Sequence, residues 1–219
     1  MRNLMLLSVM TTTALSGFAF VALAADSNNI LIDQAPTEVR RNVVAATDDS
    51  SVTGLRMVLS DEMRSKAANA KLLPADAKSL LRVRTKLRHG EYIWNDQDVP
   101  SGRISIFVDV RRQMMSVFRG GHEIGTAVVV YGGGEGHESP LGKFPILSKF
   151  RDYHSRTYDA PMPHSMFLTS DGVAIHGNVM AANRATKGCI GLPPEFAELL
   201  FSVAKKGDVV QITRSELPA

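Results

Sequence analysis

The chain has 219 residues, with 25 Lys and Arg against 22 Asp and Glu and a single cysteine. So mild a basic surplus argues against nucleic acid as the main partner. One cysteine excludes an internal disulfide, and the length allows one domain with a real core plus some extra chain.

The chain opens "MRNLMLLSVMTTTALSGFAFVALAAD", with Arg2 as the only early charge and the small-residue triplet Ala22-Leu23-Ala24 at its end. This pattern predicts a secretory signal peptide over residues 1–24, which would export the mature protein. The alternative, an uncleaved anchor, is weakened by the threonines, serines and glycine that dilute the run. No cysteine lies near the cleavage site, which excludes lipid attachment there. Secreted domains usually employ cysteines in pairs, so Cys189 is expected to be buried, paired between molecules, or a working thiol.

Residues 25–59 are rich in Asp, Ser, Asn, Thr and Ala without a sustained period, and read as a flexible linker. Residues 60–99 form a basic extension. Its pattern predicts helix from Ser60, a plausible cap, with a break at Pro74 and then Leu80, Val83 and Leu87 on one face. A solvated helix lying on the domain is the expected outcome, with contact to an anionic envelope surface as the alternative. Membrane contact is otherwise expected only through the signal segment.

Residues 100–215 change to strand texture. "RISIFVDV" alternates Ile104, Ile106, Val108 and Val110 on one face; "MMSVFR" and "EIGTAVVVY" complete a meander. Further short strands are predicted at "KFPILSKF", "SMFLT", "VAIHG", "CIGL" and "DVVQIT". One helix stands out, "PPEFAELLFSVAKKG", with prolines at its start, Glu195 and Glu198 early, lysines late and Gly207 as its stop. Phe196, Leu199, Leu200 and Val203 recur at helical spacing, so this helix should pack on a sheet. The predicted fold is mainly β with one packed C-terminal helix, preceded by a tether and a basic helical segment.

The run "YGGGEGHESPLGKF" lacks the Lys-Ser or Lys-Thr that a phosphate loop requires, because Lys143 precedes Phe144. It reads as a loop whose Ser139-Pro140 and Leu141-Gly142 turns restart a strand. The six histidines have no HExxH spacing, and one cysteine makes no structural zinc set, so neither a metal nor a cofactor is expected.

His176 ends the apolar run "GVAIH", and Cys189 follows thirteen residues later. A loop of that length can return the thiol to the imidazole, the arrangement a Cys-His nucleophile pair requires. The imidazole takes the thiol proton or stabilises the thiolate, and Lys187 lowers the thiol pKa further if it points that way. The backbone N–H groups of Gly188 and Cys189 are candidates for holding an oxyanion. The residues alone leave open a buried structural cysteine and an unrelated histidine.

Four segments in order resemble the YkuD-type L,D-transpeptidases, which remodel bacterial peptidoglycan: "ISIFVDVRRQMMSVFRGGHEIGTAVVVYGG", "SPLGKFPI", "MPHSMFLTSDGVAIHG" and "TKGCIGL". The likeness covers residues 102–213 and implies a β-sandwich or barrel and, with the signal peptide, a place across the inner membrane in the periplasm or cell envelope of a bacterium. It implies Cys189 as nucleophile, His176 as base, Gly177 as the carbonyl that orients the imidazole, and Thr186, Lys187 and Gly188 around the oxyanion and substrate. The implied donor is a peptidoglycan stem peptide, acylating the cysteine through its third residue with release of D-alanine. The acceptor is then an amine on another stem, an envelope lipoprotein, or water, the last giving a carboxypeptidase or amidase. The sequence departs from the family pattern twice: Lys187 stands for a usual histidine, and Gly191 for a usual Arg or Asn. If these changes disable the site, a non-catalytic peptidoglycan-binding module is the remaining alternative.

Overall fold

A computed structural model describes residues 56–180 and 185–216. The expected signal peptide and the linker up to residue 55 lie outside the described residues.

The amino-terminal part supplies β1 (Arg56–Val58), α1 (Asp61–Asn69), β2 (Ser79–Leu81) and β3 (Tyr92–Trp94). A meander follows, β4 (Ile104–Asp109), β5 (Met114–Arg119) and β6 (His122–Val128), and runs on into β7 (Val130–Tyr131). The remaining elements are β8 (Gly142–Pro145), β9 (Ser148–Ser155), β10 (Ala160–Phe167), β11 (Ala174–Gly177), β12 (Ile190–Leu192), α2 (Pro194–Val203) and β13 (Val209–Thr213). Among the described residues they make two sheets. One runs β1-β2-β6-β5-β4-β13-β8, with β3 also pairing β6; the other runs β7-β12-β11-β10-β9.

The two sheets form a sandwich-like arrangement, as the alternating sequence predicts. Ile106, Val108 and Val110 from β4 and the residue after it meet Met166, Ile175, Ile190 and Leu192 from the second sheet in one core. The intervening Phe107 points the other way and packs with Phe118, Leu59 and Ala77 on the outer face. The expected strand "KFPILSKF" is two strands in different sheets, β8 and β9. Ile146, almost fully buried, lies at the crossing between them.

Helix α2 begins on Pro194, where a missing N–H costs nothing, and buries Phe196, Ala197 and Leu200. It ends at Val203, before the expected Gly207. Phe196 stands 5.5 Å from Trp94, edge to face, and 5.6 Å from Tyr92. Strand β3, inside the expected basic extension, therefore belongs to the main core. Each fully buried aromatic of this kind contributes roughly 1.5–3 kcal/mol through area removed from water.

The basic helical segment requires correction. Its first half is a helix: the Ser60 hydroxyl accepts the Met63 N–H at 3.2 Å, and α1 buries no residue. Its second half is not helical. Ser79 to Leu81 form β2, paired with β1 and, at Ser79, with β6, and residues 82–88 continue without helix. Strand pairing with β6 satisfies the backbone there, and the alternation of Arg82, Arg84, Lys86 and Arg88 suits an extended chain. The last residues assigned to the linker, Arg56 to Val58, likewise form β1. No helix among the described residues is long and apolar enough to cross a membrane.

Candidate active site

The parallel pairing of β11 with β12 builds the site. Ile175 lies opposite Ile190, and His176 opposite Gly191. Both isoleucines enter the core, whereas Ala174 and Cys189 pack with Met162 on the other face, with Tyr153 and Phe167 against them. Side chains alternate along a strand, so His176 shares the outer face with Cys189, which immediately precedes the neighbouring β12. A diagonal pair of this kind has its Cβ atoms roughly 7–8 Å apart, within reach of an imidazole.

His176 is 7% exposed, and its Nδ1 lies 2.8 Å from the Gly177 carbonyl oxygen. That bond makes Nδ1 the donor and leaves Nε2 as the acceptor, the tautomer a general base needs. Burial lowers the imidazole pKa below its usual 6.5, and the Gly177 carbonyl partly offsets this. The ring is neutral at neutral pH.

Cys189 is 8% exposed, with Sγ 3.8 Å from the Gly172 carbonyl oxygen. Burial pushes the thiol pKa up from its ordinary 9.0, with a smaller opposing effect from the Ala174 backbone. At rest, therefore, Cys189 is a thiol and His176 a neutral imidazole. Lys187 does not lower the thiol pKa. Its Nζ stands 4.9 Å from the centre of the Tyr158 ring, a contact that ties this loop to the turn between β9 and β10.

The loop before Cys189 is held by hydroxyls. Thr186, placed in the site by its motif position, donates its hydroxyl to the Cys189 carbonyl. Ser139 donates to the same carbonyl at 3.4 Å and accepts the Gly132 N–H at 2.9 Å. This fixing role of Ser139 was not legible in the sequence, where the residue reads as part of a turn. Its only signal is its place in "SPLGKFPI", where the family has threonine. Gly132 permits the approach, since a Cβ there would lie 2.4 Å from the Gly188 nitrogen. Gly188 has φ +95°, which glycine adopts without strain, and so turns the chain into Cys189.

Gly191, the second departure, is packed on both sides. A Cβ there would fall 2.6 Å from Val130 Cγ2 and 3.0 Å from the side chain of Asn178. Asn178 follows the His176-Gly177 pair directly and brings a side-chain amide to the place where the family's Arg or Asn would begin. Its own N–H bonds the Leu192 carbonyl at 2.8 Å, which fixes it beside β12. Among the described residues no group of three His, Cys, Asp or Glu side chains could hold a metal ion.

The family model for the YkuD L,D-transpeptidase catalytic domain matches residues 103–212. The chain belongs to this family. The match takes in the meander, β11 with His176, Cys189 and the β12 that follows it, and most of β13. This L,D-transpeptidase domain is also similar to solved structures. An L,D-transpeptidase from Stackebrandtia nassauensis is 22% identical, with 55% of this chain and 59% of that one covered and a TM-score of 0.48. One from Mycobacterium tuberculosis H37Rv is 20% identical, with 51% and 57% covered and a TM-score of 0.46. One from Xylanimonas cellulosilytica is 20% identical, with 52% and 62% covered and a TM-score of 0.46. The chain thus spans less than two thirds of these structures. A comparison with curated proteins finds no match.

Proposed function

We propose that this chain is a secreted peptidoglycan L,D-transpeptidase whose nucleophile is Cys189. The observation that supports this reading best is the shared outer face of β11 and β12. There His176, its tautomer set by the Gly177 carbonyl, stands on β11, and Cys189 immediately precedes the adjacent β12. His176 Nε2 takes the thiol proton as Sγ attacks the carbonyl of the third stem residue. The oxyanion that forms is held by the backbone N–H groups of Gly188 and Cys189. Collapse of the tetrahedral intermediate breaks the bond to the terminal D-alanine. Its amine leaves with the proton from His176, and a thioester to Cys189 remains. An amine of another stem, or of an envelope lipoprotein, then attacks the thioester and His176 accepts its proton; the C–S bond breaks, the new amide departs, and His176 returns the proton to the Cys189 sulfur. Thr186 and Ser139 act as positioning residues, holding the Cys189 carbonyl so that its N–H stays aimed at the oxyanion.

A second reading keeps the thioester and replaces the amine by water, giving a carboxypeptidase or amidase. Lys187 and Gly191 favour considering it, because both depart from the family pattern beside the nucleophile. Intact mass after incubation with a carbapenem and, separately, with a disaccharide tetrapeptide tests both. The first should leave a covalent adduct that Cys189→Ala abolishes. The second should yield crosslinked dimers for transfer, or shortened monomers for hydrolysis. A folded wild-type protein that shows neither adduct nor product overturns the enzymatic reading in favour of a binding module.

A further inference from the structure

A cavity of about 1090 Å³ lies on the outer face of the first sheet, lined by β4, β5, β6 and the extended residues 83–89. None of its lining residues belongs to the second sheet, which carries Cys189 and His176. A bulge where β5 pairs β6 lets Glu123 and Thr126 turn to the same outer face.

The cavity is electrically polarised along β6. At one end the carboxyl of Glu123, 4% exposed, accepts the Leu81 N–H at 2.8 Å. At the other end Met114 pairs with Val128, and the turn before Met114 carries the exposed Arg111. Arg112, from the same turn, lies close enough to Glu123 to pull its carboxyl pKa down. Arg88 reaches the same end: Glu91 accepts its N–H at 2.7 Å and gives its carbonyl to the Val128 N–H. None of Lys86, Arg88 and Arg111 makes an ion pair among the described residues. Between the two ends the walls are apolar, chiefly Leu72, Leu80, Leu87 and Phe107, with the hydroxyls of Ser116 and Thr126 among them.

A second observation points to a ligand. Asp109, 1% exposed and lining the cavity, spends Oδ1 on the N–H groups of Arg111, Arg112 and Ser215, while its buried Oδ2 has no partner. An acceptor left unpaired at such burial is costly unless something donates to it. From Glu123 to Val128 the strand covers about 15 Å, the span of an extended peptide of four or five residues.

We propose that this cavity is a second, non-catalytic site for an extended zwitterionic peptide of four to five residues. Its ammonium meets Glu123 and its carboxylate meets Arg88 and Arg111. A backbone N–H of the ligand satisfies Asp109 Oδ2, and its apolar side chains lie on the leucine wall. The site rests on the proposed function only for the choice of probe, since stem peptides belong to this chemical class.

The test uses the full chain carrying Cys189→Ala, so that no acylation competes. Two tetrapeptides are titrated, L-Ala-γ-D-Glu-meso-diaminopimelate-D-Ala and linear Ala-Glu-Lys-Ala. Each is used free and with its amines acetylated and carboxylates amidated, and amide shifts are followed by NMR. Saturable shifts at Leu81, Ser116 and Thr126 are expected from at least one free peptide. Blocking the termini, or Arg88→Ala with Arg111→Ala, should weaken binding about tenfold or more, the loss expected of a charge-assisted contact. No shifts at these amides, equal binding of blocked peptide, or indifference to the arginine pair would overturn the proposal. So would a response to inorganic phosphate alone. Acyl-enzyme formation by the wild type is read separately by mass, so the two readings fail independently.

Discussion

The amide of Asn178 fills the space beside Gly191, so the glycine is where it is because the asparagine is. A Cβ at residue 191 would stand 2.6 Å from Val130 Cγ2, closer than real Cβ atoms come, and 3.0 Å from Asn178 Nδ2, a tight contact that the amide must yield to by a few tenths of an ångström. Gly191→Asn, which restores a residue the family commonly has, should therefore destabilise this chain by about 1–3 kcal/mol through overpacking. Urea unfolding measures it. An unchanged midpoint would show that Val130 and Asn178 yield freely, and the packing argument would fail.

If Asn178 also presents its amide to substrate in place of the missing side chain, Asn178→Ala should raise the KM for a tetrapeptide donor while leaving carbapenem acylation nearly unchanged. Removing one hydrogen bond to a charged group costs roughly 1.5–3 kcal/mol, about tenfold or more in kcat/KM. Equal losses with both substrates would assign Asn178 to the loop alone.

The pH dependence of acylation follows from burial of both reacting groups. His176 is held below its usual 6.5, so it stays a base to lower pH than an exposed histidine, and the acid limb of carbapenem acylation should lie below pH 6.5. The Cys189 thiol is pushed above its ordinary 9.0, so its thiolate is scarce at neutral pH. Iodoacetamide at pH 7.5 should therefore alkylate Cys189 more slowly than free cysteine. Faster alkylation would mean a resting thiolate–imidazolium pair and would contradict the neutral pair described above.

The hydroxyls of Ser139 and Thr186 converge on one carbonyl, that of Cys189. Ser139→Ala and Thr186→Val should each slow acylation, and the double variant should do so more severely, because it leaves a buried carbonyl with fewer donors. Each is expected to cost about 1 kcal/mol of stability as well. If the hydroxyls only stabilise the loop, stability falls and the acylation rate of the folded fraction does not, which separates the two roles.

Local periodicity carried as much of this fold as local forces decide. The alternation of Ile104, Ile106, Val108 and Val110 survives because one face of β4 meets the core, and the helix from Pro194 survives because Phe196 and Leu200 recur on its packed side. Leu80, Val83 and Leu87 misled, since spacings of three and four fit a helix while the intervening basic residues alternate. The contact with β6 that settles the matter is not local. Cys189 and His176 were legible as residue types of matching chemistry. Their placement on one face needed the parallel pairing of β11 and β12, which no local pattern encodes. Asn178 and Ser139 act through close backbone approaches at Gly191 and Gly132, and nothing in their own neighbourhood announces that.

Glu123 gives the fold a pH dependence of its own. Burial pushes its carboxyl pKa up to about 7 from an ordinary 4.5, against the pull of the Ser116 and Leu81 hydrogen bonds and the charges of Arg56 and Arg112. The folded state thus binds this proton more tightly than the unfolded chain does. Stability from the group is fully present below pH 4.5, falls as pH rises to about 7, and is level above that, a loss on the order of 3 kcal/mol. Glu123→Gln keeps the shape and cannot ionise, so it escapes the loss. The variant should therefore gain on the wild type progressively between pH 5 and 7.5 in urea unfolding, because groups common to both proteins cancel in the difference. A difference that stays constant across that range would place the Glu123 pKa near its ordinary value and remove the buried carboxyl as a source of pH sensitivity.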